Sequence, residues 1–187
     1  AGNARAQGAR IGLGQSAPFT GPAAQLGIQY HAGARLHFDI YNAQATAAGR
    51  RGVDLVQLDD GYEPDRTAEN TRKFVADDVF ALFGYVGTAT SLAALPLATQ
   101  ARLPLFAPLT GARAGLREPF NRNVFHVRAS YHDETATIVR QLAGLGPSRI
   151  AVVHQNDGYG QAGLDGVTQA LAAQPLKPAA QAVVWSN

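Results

Sequence analysis

Short apolar runs alternate with helix-length segments along the whole chain, and no other feature narrows the fold as far. Val79-Phe80-Ala81-Leu82-Phe83 is continuously apolar, as a parallel strand buried on both faces requires. Further segments that read as strands, some with polar residues interspersed, are Ala9 to Gly14, Val53 to Leu58, Leu103 to Phe106, Val124 to Arg128, Ile150 to Val153 and Ala182 to Trp185. Parallel neighbours need a long crossover, and a helix supplies it. The expectation is therefore an α/β fold, a parallel sheet with helices on both faces and right-handed crossovers.

The intervening segments carry helical signals. Ala24, Ile28, Ala32, Leu36 and Ile40 recur every four residues and predict an apolar stripe that faces the core, ending near Thr46-Ala47-Ala48-Gly49. Asp59-Asp60-Gly61 reads as a turn, and Pro64 as the first residue of a helix through Phe74 and Val75. Pro96 should kink or shorten the following helix. Ser130 with Asp133 predicts a capping box, with Ile138, Leu142 and Leu145 on the helix's inner side and a stop at Gly144-Leu145-Gly146-Pro147. Leu164, Val167 and Leu171 mark a further helix. The segment from Gly111 to Asn123 is long for such a connection and predicts a passage between two lobes, the first over residues 10–122 and an incomplete second over 123–187.

Two adjacent strand ends are rich in hydroxyls and glycine: Gly84-Tyr85-Val86-Gly87-Thr88-Ala89-Thr90-Ser91 and Ala107-Pro108-Leu109-Thr110-Gly111. Gly87 allows a sharp turn, and Thr88 or Thr90 is expected to cap the next helix. The open N–H groups and positive dipole of a helix start favour a carboxylate or phosphate there, and ligands of open parallel sheets gather at the carboxyl ends of strands.

Of the 187 residues 46% are hydrophobic and 16% charged, the composition of a folded protein and not of a disordered one. No apolar stretch is long enough to span a bilayer. The absence of methionine and the small-residue string Ala4-Arg5-Ala6 suggest a processed or trimmed product. Without cysteine there is no disulfide framework, thiolate metal site or cysteine nucleophile. A formal charge of +2 with scattered arginines gives no nucleic-acid footprint, and the residues before the first strand leave no room for a helix-turn-helix. His31, His37, His126, His132 and His154 are dispersed, with no hydrolase or zinc motif around them. Gly12-Leu13-Gly14-Gln15-Ser16-Ala17 matches a loose dinucleotide fingerprint, but Pro18 and Gly21-Pro22 delay the helix that would take the pyrophosphate. Asp59-Asp60 suits a turn better than a cation site, and His154-Gln155-Asn156-Asp157-Gly158 reads as a strand-end loop from which Asp157 could face the cleft.

Phe19-Thr20-Gly21-Pro22 with Gly27, Asp59-Asp60, Gly87-Thr88-Ala89-Thr90-Ser91, Ala107-Pro108-Leu109-Thr110 and Tyr159-Gly160 occur in an ordered series. In that series nearly the whole chain resembles the type I periplasmic solute-binding proteins of ABC importers, especially the leucine/isoleucine/valine-binding branch. The resemblance implies a non-enzymatic protein with no cofactor and no metal, in the periplasm, whose two lobes close on an amino acid or related small carboxylate and dock on a membrane permease. It implies that Thr88, Ala89, Leu109 and Thr110 hold the carboxylate and ammonium and that Tyr159 closes from the second lobe. Leu26 stands where the amino-acid binders have an aromatic. It further implies that the chain stops within the second lobe's opening βαβ unit, leaving a sheet edge open to homodimerisation. A small-molecule sensor domain of a signalling receptor is the other reading of the same fold.

Overall fold

The computed structural model describes residues 10–146, 149–174 and 176–185; Ala4-Arg5-Ala6 and Pro147 lie outside them. The elements run β1 (Ile11–Ala17), α1 (Ala24–Ala47), β2 (Val53–Asp59), α2 (Pro64–Ala76), β3 (Ala81–Phe83), α3 (Thr88–Gln100), β4 (Leu105–Phe106), β5 (Val124–Phe125), α4 (Tyr131–Gly144), β6 (Ala151–Gln155), α5 (Gly158–Ala172) and β7 (Ala180–Val184). A first parallel sheet has the order β2-β1-β3-β4-β5, and a second pairs β6 with β7, also in parallel. This is the α/β architecture that the alternation dictates.

In the first sheet β1 pairs with β2 from Ile11↔Val53 to Ala17↔Asp59, and with β3 at Leu13↔Ala81 and Gly14↔Leu82. The chain thus leaves β1 toward one edge and later returns on its other side, which opens a crevice at the carboxyl ends of β1 and β3. Successive side chains of a strand face opposite ways. Leu82 and Leu105 point into a core with Phe74 of α2 and Ala94 and Ala98 of α3. Phe83 points to the opposite face, where Tyr30 and Phe38 of α1 pack on it with ring centroids 6.2 and 5.5 Å away.

Several expectations need correction. β1 does not end at Gly14 but extends through Gln15 and Ser16, both fully buried, and the dinucleotide-fingerprint match already set aside on sequence lies within that strand. Phe80 precedes β3 and is exposed, so that run is not buried on both faces. The α1 stripe faces outward: Ile28, Leu36 and Ile40 are exposed, whereas Gly27 and Ala45 are buried. A strict four-residue step advances about 40° per repeat around a helix, so those positions drift off any single face. α3 is not shortened by Pro96, which lies inside it. In α4 the capping box is present, but Ile138, Leu142 and Leu145 are exposed while Tyr131 and Val139 are buried. The second sheet has two strands among the described residues, and Ile138 overhangs an apolar hollow with Val152, Leu164 and Val167. The passage between lobes also differs. β5 pairs with β4 at Leu105↔Val124, so the first sheet holds the chain beyond residue 122.

Candidate functional site

A cleft of about 560 Å³ lies where the two sheets face each other at their strand ends. That volume suits a small organic ligand. Pro22, Ala23 and Leu26 line it from the start of α1, Tyr62 from the turn after β2, and Val86, Gly87 and Leu109 from the segments after β3 and β4. Tyr131, Gln155, Tyr159 and Trp185 line it from α4 and the second sheet with its helix. None of these side chains is charged.

The floor is built by the segments after β3 and β4, which stay paired through a parallel bridge between Val86 and Leu109. Gly87 is the residue before α3 and has φ +107, a backbone that a side chain rarely tolerates. A Cβ there would lie 2.7 Å from both Thr90 Oγ1 and Tyr62 Cε2. Neither threonine caps the helix, contrary to expectation. Thr90 Oγ1 donates to Val86 O at 2.5 Å and Ser91 Oγ to Gly87 O at 2.6 Å. Thr88 and Thr110, 1% and 0% exposed, share a 2.7 Å hydrogen bond between their hydroxyls. The N–H groups of Thr88, Ala89 and Thr90 find no acceptor among the described residues, as expected of an uncapped first turn.

α5 begins against this turn. Its N-cap Asp157 accepts from Gly160 N at 2.8 Å, so the aspartate serves the helix start. A Cβ on Gly158 would touch Thr88 Cγ2 at 3.6 Å. Two helix N-termini therefore meet at the cleft. Tyr131 and Tyr159 meet edge to face with centroids 5.4 Å apart, and the Arg128 guanidinium lies 5.3 Å from the Tyr131 ring centre.

The first-sheet wall is tied together by two adjacent aspartates. Asp59 Oδ1 accepts from Phe19 N (2.7 Å), Thr20 N (3.1 Å) and Gly61 N (3.0 Å), and Oδ2 from Thr20 Oγ1 (2.7 Å) and Arg66 (2.9 Å). Partial burial acts to raise its pKa, but these donors together hold it well below the carboxylate range. Asp60 is fully buried, accepting from Ser16 Oγ (2.7 Å), Thr67 Oγ1 (3.1 Å) and Tyr62 N (2.9 Å). Its burial outweighs those bonds and raises the pKa. Tyr62 sits at φ +70, unusual for a non-glycine residue. Burial, with the negative fields of Tyr131, Asp157, Tyr159 and Asp60, pushes its phenol up to about 12. On the other flank, Gly27 admits the preceding loop, since a Cβ there would lie 1.9 Å from Pro18 O. Tyr30 hydroxyl donates to Ala107 O at 2.7 Å, and the Gln15 amide bridges Gly84 O (3.2 Å) and His31 Nδ1 (2.6 Å).

Of the residues expected at the site, Leu26, Leu109 and Tyr159 line the cleft, with Leu26 51% and Tyr159 45% exposed. Thr88, Ala89 and Thr110 form the layer at its floor instead of its lining. Tyr62, Tyr131, Gln155 and Trp185 escaped the sequence reading. The strand-end rule, applied to β2, β6 and β7 as it was to β3 and β4, points to Tyr62, Gln155 and Trp185. Among the described residues no histidine, cysteine and carboxylate groups cluster as a metal site, and no helix is long and apolar enough to cross a membrane.

The two sheets thus present their strand-end loops around an uncharged cleft. Residues 10–185 match the periplasmic binding protein family, and the chain belongs to it. A Leu/Ile/Val-binding protein homolog of Brucella melitensis is 26% identical over 161 residues, covering 86% of this chain and 43% of its own length. The crystal structure of a possible leucine/isoleucine/valine-binding protein from Rhodopirellula baltica superposes with a TM-score of 0.84 at 38% identity, over 90% of this chain and 46% of that one. A substrate-binding periplasmic protein from Ralstonia solanacearum superposes at 0.83 with 34% identity, over 94% and 49%. The chain thus spans about half the length of the relatives it matches.

Proposed function

We propose that this chain supplies the first lobe and the opening of the second in an extracytoplasmic solute-binding component of an ABC importer. Its ligand is an amino acid or related small carboxylate. The observation that carries this reading is the first turn of α3, where three N–H groups find no acceptor among the described residues and lie beside an uncharged cleft. The ligand's carboxylate would take the N–H groups of Thr88 and Ala89, with the Thr88 and Thr110 hydroxyls and the Leu109 backbone beside it. Tyr159 and Leu26 would close on the remainder.

No covalent step is involved. α5 starts against Thr88, so separating the lobes would uncover the α3 turn and closing them would cover a ligand held there. The closed, liganded shape is what a permease would read. The test is thermal unfolding of the full-length protein against a panel of amino acids, aromatic and aliphatic carboxylates, sugars and nucleotides. A carboxylate that binds the native state raises the melting temperature. A shift with sugars or nucleotides alone would discard the reading.

A further inference from the structure

Among the described residues, the lobe-1 wall of the cleft contains one aromatic side chain, and it comes from an unexpected element. Pro22, Ala23 and Leu26 make the wall beside α1 aliphatic, whereas Tyr62 enters from the turn after β2. We propose that Tyr62 is the residue that stacks on the ligand, and that the ligand is a planar, ring-bearing carboxylate. This rests on the carboxylate-binding reading above and narrows it.

Three observations place Tyr62 in that task. Its backbone adopts φ +70, and its N–H is fixed by Oδ1 of the buried Asp60, so the turn is pre-organised to project this side chain. Its ring then occupies the space that a side chain on Gly87 would need, 2.7 Å from such a Cβ, and so lies directly beside the open first turn of α3. A carboxylate bound at that turn brings the atoms attached to it alongside the phenol ring. Tyr131 and Tyr159 provide aromatic surface from the other lobe, already packed edge to face. A flat π-system fits between such surfaces in offset or edge-on contact, and a branched aliphatic chain gains area without that complementarity.

The polar groups of the slot are uncommitted. The hydroxyls of Tyr62, Tyr131 and Tyr159 and the side-chain amide of Gln155 bond to no other described residue. They can therefore serve ring substituents.

The experiment compares benzoate with cyclohexanecarboxylate, which share size and charge but not planarity, and adds leucine. Binding to the full-length protein is measured by calorimetry for the wild type, Tyr62→Leu and Tyr62→Phe. The expected result is benzoate at least tenfold tighter than cyclohexanecarboxylate, with the gap closing in Tyr62→Leu and persisting in Tyr62→Phe. Should Tyr62→Leu not fold, Tyr159→Leu tests the same slot from the other lobe and is expected to narrow the same gap. Equal affinities for the two ring acids, or leucine binding without either, would overturn the planar-ligand assignment and leave the carboxylate reading intact. A gap that Tyr62→Leu and Tyr159→Leu both leave unchanged would overturn the stacking assignment. Failure of every carboxylate would overturn both readings.

Discussion

Asp59 and Asp60 show how much one position along a strand end changes a carboxylate. The Asp59 side chain reaches outward to collect donors from the β1–α1 loop, its own turn and Arg66, whereas the Asp60 side chain turns inward to Ser16 and Thr67. Because Asp59 has a folded pKa below its unfolded value, its contribution is complete above the ordinary carboxylate range and is lost as pH falls through and below about 4. Asp60 acts in the opposite sense: its raised pKa favours the protonated form, so stability declines as pH rises above the ordinary value. Asp59→Ala is therefore expected to cost about 1–3 kcal/mol near neutral pH and much less in acid, read as denaturant midpoints across that range. A parallel offset at every pH would show that the clamp is not electrostatic. The sequence announced a turn at Asp59-Asp60-Gly61. It could not say that the first carboxylate ties two loops and the second fixes Tyr62, because both depend on which strand lies next to β2.

At the scale of elements, the sequence located helices well and their inner faces poorly. The N-terminus of α2 at Pro64 and the capping box of α4 were legible because they depend on neighbours within four residues. The buried face of α1 was not, because it is set by tertiary partners: Tyr30 and Phe38 stack on Phe83, and His31 meets the buried Gln15. These are aromatic and polar side chains that a search for aliphatic spacing passes over. The distinction can be measured. Leu36→Gln on the outward face of α1 should change stability by no more than about 0.5 kcal/mol. Phe74→Ala in α2, whose ring is 1% exposed within the main core, should cost about 3–5 kcal/mol. A loss of comparable size for Leu36→Gln would mean that another part of the folded protein covers that stripe.

For the whole molecule, alternating strands and helices gave the architecture, since parallel pairing leaves few ways to connect such elements. The position of the lobe passage was less legible, because two-residue strands such as β5 carry too little pattern to say which sheet they join. That passage contains a connection the spacing did not suggest. Arg117 Nη2 donates to the carbonyls of Arg128 at 3.0 Å and of Thr110 and Ala129 at 3.4 Å, joining the floor of the cleft to the chain that enters α4. Burial lowers its pKa and the nearby Asp133 opposes that shift. With the contact among Leu92, Leu116 and Tyr131, it packs the passage against the floor of the cleft, and we propose this passage as the hinge of lobe closure. Arg117→Met retains the apolar stem and removes the donors. It should lower stability by about 1.5–3 kcal/mol and reduce the compaction that a bound ligand produces in the full-length protein, measured by small-angle scattering. Arg117→Lys should recover part of both. If Arg117→Met loses stability but compacts as the wild type does, the arginine supports the fold without coupling the cleft to the hinge.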